Sequence, residues 1–219
     1  MNMQHKGKFT GVRLSGDLSL FGSNRGGQEK VILIDHLACA RLRIGGDEGL
    51  DAPWFCLQVK SGCEYRVESR LRDCGIEASV PSEKFAFVKN GRIIEDQNRP
   101  FFRGYVLVRC MYSVEAMMGL RNVIDVVSIV GGARYPWRVP GKFVQRFNAM
   151  IEDGSLDRLP ADRSITAGDR VKIKCGPFEG FDARVLQVTK ARKARCTVAI
   201  RLYGRETEIE MPLAHVDKL

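Results

Sequence analysis

The chain is 219 residues long, with 44% hydrophobic and 28% charged residues, a balance that buries a core and leaves room for one large or two small domains. The apolar run Val31 to Ile34 stops at Asp35 and His36, too short for a signal-peptide core or a membrane span, so a soluble cytoplasmic protein is expected. A net charge of +9 favours a polyanionic neighbour, yet basic and acidic residues are mixed along the whole chain, which excludes a polybasic tail that lives by wrapping phosphate.

Seven cysteines without a C-x-x-C pair, and three histidines, give no metal-binding spacing; the thiols read as reduced and mostly structural, and no cofactor or metal is expected. Residues 1–52 contain glycine clusters and one candidate element, Val31 to Ile44, and are treated as an extension of unknown role. Trp54 to Val59 reads as a buried strand. Ser61-Gly62 then opens a segment with Cys63, Val67, Leu71 and Cys74 at helical spacing, stopped by Gly75. Phe85 to Val88 and Arg92 to Ile94 flank Lys89-Asn90-Gly91, the positive-φ signature of a tight hairpin. Tyr105 to Cys110 is a further strand, Ser113 caps a helix running through Arg121, and Val126 to Val130 returns as a strand. Phe143, Val144, Phe147, Met150 and Ile151 form the stripe of a core-facing helix that ends at Gly154.

The stretch from Gly154 to Arg163 lacks periodicity and contains a proline, so it reads as a linker, taken as 154–165. Beyond it, Arg170 to Cys175, Ala183 to Thr189, Cys196 to Leu202 and Glu206 to Met211 are short strands separated by turn residues, which predicts a small β-barrel with a thin core over 166–219. The densest basic run, Lys190, Arg192, Lys193 and Arg195, reads as a soluble turn. Nothing resembles a Walker loop, a G-x-G-x-x-G, a G-x-S-x-G or an H-E-x-x-H pattern, so a non-enzymatic protein that works by binding is expected.

In this order the elements resemble the NusG family of transcription elongation and antitermination factors. The resemblance covers Pro53 to Leu219. It rests on Trp54-Phe55, Ser61-Gly62 and Glu64; on Val80 to Glu83; on Phe101 to Val108 and Val130 to Gly132; and in the barrel on Gly168 to Val171, Gly176 to Phe181 and Tyr203 to Thr207. It implies an α+β protein: an NGN α/β sandwich domain with an antiparallel sheet at 53–153, linked to an SH3-like KOW barrel. Two positions depart from the family pattern. Arg103 replaces a proline before the Gly-Tyr pair, and Ala183 replaces a KOW glycine; with the long extension, these imply a specialised paralogue of the kind that includes RfaH. The β-branched density of the barrel argues against refolding into helices.

The resemblance also implies sites. Phe102, Tyr105 and Leu107 match the apolar patch that docks on RNA polymerase; the alternative is that they are core, a reading that stands level with the interface for Leu107 and behind it for Phe102 and Tyr105. Tyr203 and Arg205, with Phe178 and Phe181, match the barrel positions that bind NusE, a ribosomal small-subunit protein, or Rho; the alternative is that Tyr203 closes the end of the barrel. Lys142 and Arg146 are candidates for approaching upstream DNA, or simply a solvated face, and Ser113 to Gly119 reads as an ordinary helix. The implied function is to bridge the polymerase cleft as a monomer and suppress pausing. A housekeeping NusG acting in Rho-dependent termination and an RNA-binding ribosomal KOW protein are the alternatives.

Overall fold

The computed structural model describes residues 20–22, 27–41, 52–89, 92–154, 161–189 and 194–219. The Asn90-Gly91 turn, most of the expected linker and the Lys190 to Lys193 turn lie outside the described residues.

The first sheet is antiparallel and centred on β1 (Trp54–Val59), which pairs with β5 (Tyr105–Arg109) on one side and with β6 (Val126–Ile129) and β7 (Arg138–Val139) on the other; β2 (Glu77–Ser79) extends the β5 edge. Side chains alternate across a strand, so the near-continuous apolar runs of β1 and β5 mean that both faces are buried. Phe55, Leu57, Val59, Val106 and Val108 belong to one core, with the helices α2 (Glu64–Asp73) and α3 (Val114–Asn122). Cys56, Tyr105 and Leu107 belong to a second core, with α4 (Gly141–Glu152) and the C-terminal barrel. Ser113 caps α3 as the sequence predicts, its Oγ accepting from the Ala116 N–H at 3.0 Å.

The candidate element in the extension is a helix, α1 (Gly27–Ala38), whose Leu33 and Leu37 join the first core. It crosses α3 at Gly119, where a Cβ would lie 2.4 Å from the Leu37 backbone nitrogen, so only glycine admits the contact. Leu20 accepts a backbone hydrogen bond from Ile124, and Arg41 donates to the Cys74 carbonyl, tying both ends of the segment down. The sequence marks a candidate element at Val31 to Ile44 without a type; the helix begins four residues earlier and ends at Ala38, and its packing partner α3 is distant in sequence.

The hairpin is longer than predicted: β3 (Ser82–Lys89) pairs with β4 (Arg92–Pro100), the second strand running six residues past Ile94 to Pro100. The barrel runs β11–β10–β9–β8–β12, all antiparallel, from β8 (Arg170–Ile173), β9 (Asp182–Thr189), β10 (Arg195–Leu202), β11 (Arg205–Pro212) and β12 (Val216–Lys218). Ala183 sits within β9 at an ordinary negative φ, so the missing glycine introduces no left-handed strain there.

Candidate functional site: an aromatic interdomain seam

The turn that carries Phe102 is fixed from behind. Buried Glu64, in the first turn of α2, accepts from the Gly104 N–H at 2.7 Å, and Val59 donates to the Gly104 carbonyl at 2.8 Å. These bonds hold the start of β5 so that Phe102 and Tyr105 project away from the helical layer. The residues expected to form an apolar patch are therefore placed on the sheet face opposite α2 and α3, and there the barrel covers them: Phe102 is 3% exposed, and Tyr105 and Leu107 are also buried.

The cover is built from the Gly-Pro-Phe loop of the barrel. Phe178 meets both rings edge-on, at centroid distances of 6.1 Å to Phe102 and 5.8 Å to Tyr105, the favourable geometry for aromatic quadrupoles. A Cβ on Gly176, whose φ is +92°, would stand 2.4 Å from the Phe102 ring, so this loop approaches as backbone rather than side chain. The Tyr105 hydroxyl donates to the Glu208 carbonyl, and burial pushes that phenol well above its usual range. Phe147 of α4 packs on Phe102 from its own domain.

Charged groups close the margins. Arg195 of β10 is 5% exposed; its Nε donates to Glu210 at 2.9 Å and one Nη donates to the Phe101 carbonyl at 2.8 Å, while the other lies 3.7 Å from Glu83. Reading Arg195 as part of a solvated turn missed this, because nothing local marks a cation that is held partly by a carbonyl almost a hundred residues away. Arg146 pairs with Glu179 of the barrel at 2.9 Å, and Lys142 lies over the Phe143 ring. Neither is brought to the seam's centre.

The proposed barrel residues divide. Phe178 is fully buried and Phe181 is half-buried against Trp137 at 5.0 Å. Tyr203 is 62% exposed, at the tip of the β10–β11 hairpin with φ +47°, followed by Gly204 at +78°, the turn that a two-residue hairpin requires. Arg205 is exposed beside Gly132, and Tyr203 stands 6.4 Å from Trp137 across the seam. Cys110, Cys175 and Cys196 are buried thiols that burial pushes up to about 12, which makes them poor nucleophiles.

Comparison with known proteins decides the family. Residues 52–148 match the family model described as transcription termination factor nusG. A transcription termination/antitermination protein NusG from Vibrio parahaemolyticus is 30% identical over 177 residues, covering 76% of this chain and 95% of the relative. The chain belongs to the NusG family. The NusG of Escherichia coli is 27% identical over 175 residues, with 75% of this chain and 95% of the relative covered. A solved structure described as domain interaction in Thermotoga maritima NusG is 23% identical and covers 78% of this chain and 98% of that one, with a TM-score of 0.36. The family assignment carries with it a role in transcription termination or antitermination. The matched region begins at residue 52, so α1 is an addition to the family core. Among the described residues no helix is long and apolar enough to cross a membrane.

Proposed function

We propose that this NusG-family chain is an elongation and antitermination factor that binds RNA polymerase through the sheet face bearing Phe102, Tyr105 and Leu107, and that the observed seam is its closed form. The supporting observation is the complementarity of that face to a detachable module: Phe102 and Tyr105, on the sheet face opposite α2 and α3, are met by Phe178 of a barrel loop, with Phe147 of α4 packing beside them. A surface that makes a dry aromatic contact within the chain provides the same contact area to a partner at little ordering cost. Polymerase and barrel then compete for one face. Once open, the domain would bridge the polymerase cleft and suppress pausing without chemistry, by preferring the closed clamp.

The barrel's partner, NusE or Rho, would use Tyr203 and Arg205, with Phe178 and Phe181 becoming available on opening. The exposed, left-handed Tyr203 supports this reading: a residue held in an uncommon conformation costs on the order of 1–3 kcal/mol and clusters at functional sites. Rho binding would make the chain a termination factor, the second reading that the names of its relatives favour.

Two variants with opposite outcomes test the proposal. Arg195→Gln, which removes the seam's buried cation, should increase polymerase capture by the full chain. Phe102→Ala with Tyr105→Ala should weaken capture by tenfold or more, since each hot spot contributes on the order of 2 kcal/mol. If both move capture in the same direction while melting curves show folded protein, the shared-face reading is wrong.

A further inference from the structure

The loop between β6 and β7 carries a cluster of arginines and tyrosines. Its path is set by the paired glycines Gly131 and Gly132, at φ +85° and +92°, and by two backbone hydrogen bonds: the Gly132 N–H donates to the Ile129 carbonyl and the Trp137 N–H to the Val130 carbonyl, each at 2.8 Å. The Tyr112 hydroxyl, just ahead of α3, donates to the Arg134 carbonyl at 2.9 Å and holds the far side of the loop. The β10–β11 hairpin rests on the same glycines. A Cβ on Gly131 would lie 3.1 Å from the Tyr203 ring, and one on Gly132 would lie 3.2 Å from the Arg205 guanidinium. Both domains therefore contribute to one ledge, on which Tyr135 is 66% and Tyr203 62% exposed.

Arg134, Arg138 and Arg205 are all exposed, and among the described residues none of them pairs with a carboxylate. Glu206, next to Arg205 in the chain, is engaged by Arg184 at 3.7 Å instead. Two of the three guanidiniums lie over aromatic rings, Arg138 at 5.9 Å from the Tyr112 centroid and Arg134 at 5.5 Å from that of Tyr135. A guanidinium seated on a ring keeps its in-plane N–H groups free for the two oxygens of a carboxylate, and it occupies the ring face that a nucleobase would need for stacking. The ledge thus offers three cations without counter-charges beside two exposed phenols, on a backbone already fixed by its own hydrogen bonds, so little ordering is lost on binding. We propose that this ledge docks an acidic segment of a partner protein, whose carboxylates meet Arg134, Arg138 and Arg205 and whose apolar side chains lie on Tyr135 and Tyr203. Charge complementarity selects the occupant, and the arginine and tyrosine content is that of an interface hot spot. The inference goes beyond the polymerase reading, because Phe102, Tyr105 and Leu107 take no part in it. It also goes beyond the barrel's own partner site, because Arg134, Tyr135 and Arg138 stand in the loop before β7 and outside the barrel.

The test titrates the full chain into a short fluorescein-labelled peptide in which paired glutamates flank single leucines, and into its glutamine counterpart, with anisotropy as the readout. The acidic peptide should bind about tenfold more tightly than the glutamine peptide at low salt, and the margin should shrink as salt rises. Arg134→Gln with Arg138→Gln should weaken the acidic peptide by about tenfold, and Tyr135→Ala by about threefold, with the melting temperature and polymerase capture both retained. These changes leave Tyr203 and Arg205 in place, so their failure would leave the barrel's NusE or Rho reading standing. Full affinity in the folded Arg134→Gln, Arg138→Gln protein overturns the inference, as does equal binding of the glutamine peptide. A single-stranded RNA of equal charge that binds more tightly than the peptide, and loses affinity in the same variant, would reassign the ledge to nucleic acid.

Discussion

His215 carries a pH dependence that can be signed in advance. It lies between Phe101, stacked at 5.4 Å, and Phe147, edge-on at 6.1 Å, with its Nδ1 buried and without a hydrogen-bond partner. Burial first, then the charges of Arg195 and Lys174, lower it to about 4 from 6.5. The released form binds a proton that the closed form refuses, so this contribution to stability is complete above about pH 6.5 and is lost as the pH falls toward about 4. At about pH 4.5 the loss is about 2.5 kcal/mol, since each tenfold difference in proton affinity between the two forms is worth about 1.4 kcal/mol. Urea unfolding at about pH 7.5 and about pH 4.5 should therefore show a larger acid loss in the wild type than in His215→Gln; the same loss in both would refute the assignment. Arg195 teaches the complementary lesson. A buried cation is tolerated only with its acceptors in place, here Glu210 and the Phe101 carbonyl, so it ties the domains together specifically and not strongly.

At the scale of elements, the α1–α3 crossing is the most sharply determined contact in the fold. Gly119→Ala would drive a methyl group into the Leu37 backbone, which cannot move like the end of a flexible side chain. The expected result is displacement of α1 and a loss of about 1–3 kcal/mol, the usual cost of overpacking. Thermal melts together with hydrogen exchange of Leu33 and Leu37 check it: unchanged protection in a folded Gly119→Ala protein would mean that α1 does not rest on α3. The same contact bears on domain dissection. A fragment starting at residue 53 would uncover Leu33 and Leu37's share of the first core, so the polymerase-binding fragment to make is 1–154, not 53–153.

For the whole molecule, the seam turns affinity into a population question. If only a fraction of molecules is open, the apparent dissociation constant for a ligand of the covered face rises by the inverse of that fraction. The fragment 1–154 should thus bind polymerase on the order of 10–100-fold more tightly than the full chain, a span that corresponds to a closed form favoured by a few kcal/mol. Equal affinities by titration would show that the barrel imposes no such cost. Trp137, packed on Phe181 at 5.0 Å across the seam, is a natural fluorescence reporter for the same opening.

The sequence by itself determined what local chemistry encodes. Alternating and continuous apolar runs marked β1 and β5, the Ser113 cap marked α3, the stripe from Phe143 to Ile151 marked α4, and the ordered motif set identified the family. Strand termini shifted by one or two residues outside the β3–β4 hairpin, where β4 runs six residues further than expected, because pairing partners and not propensity end a strand, and the short β2, β7 and β12 carry no period to read. Only the tertiary structure decided which aromatic residues face water. Phe102, Tyr105 and Phe178 have the same composition whether they await a partner or cover one another, and Tyr203 is left exposed by a turn that its sequence alone does not aim. The physical reason is that burial is a property of a pair of surfaces: Phe102 is paired with a loop more than seventy residues distant, and Arg195 with a carbonyl more than ninety residues away.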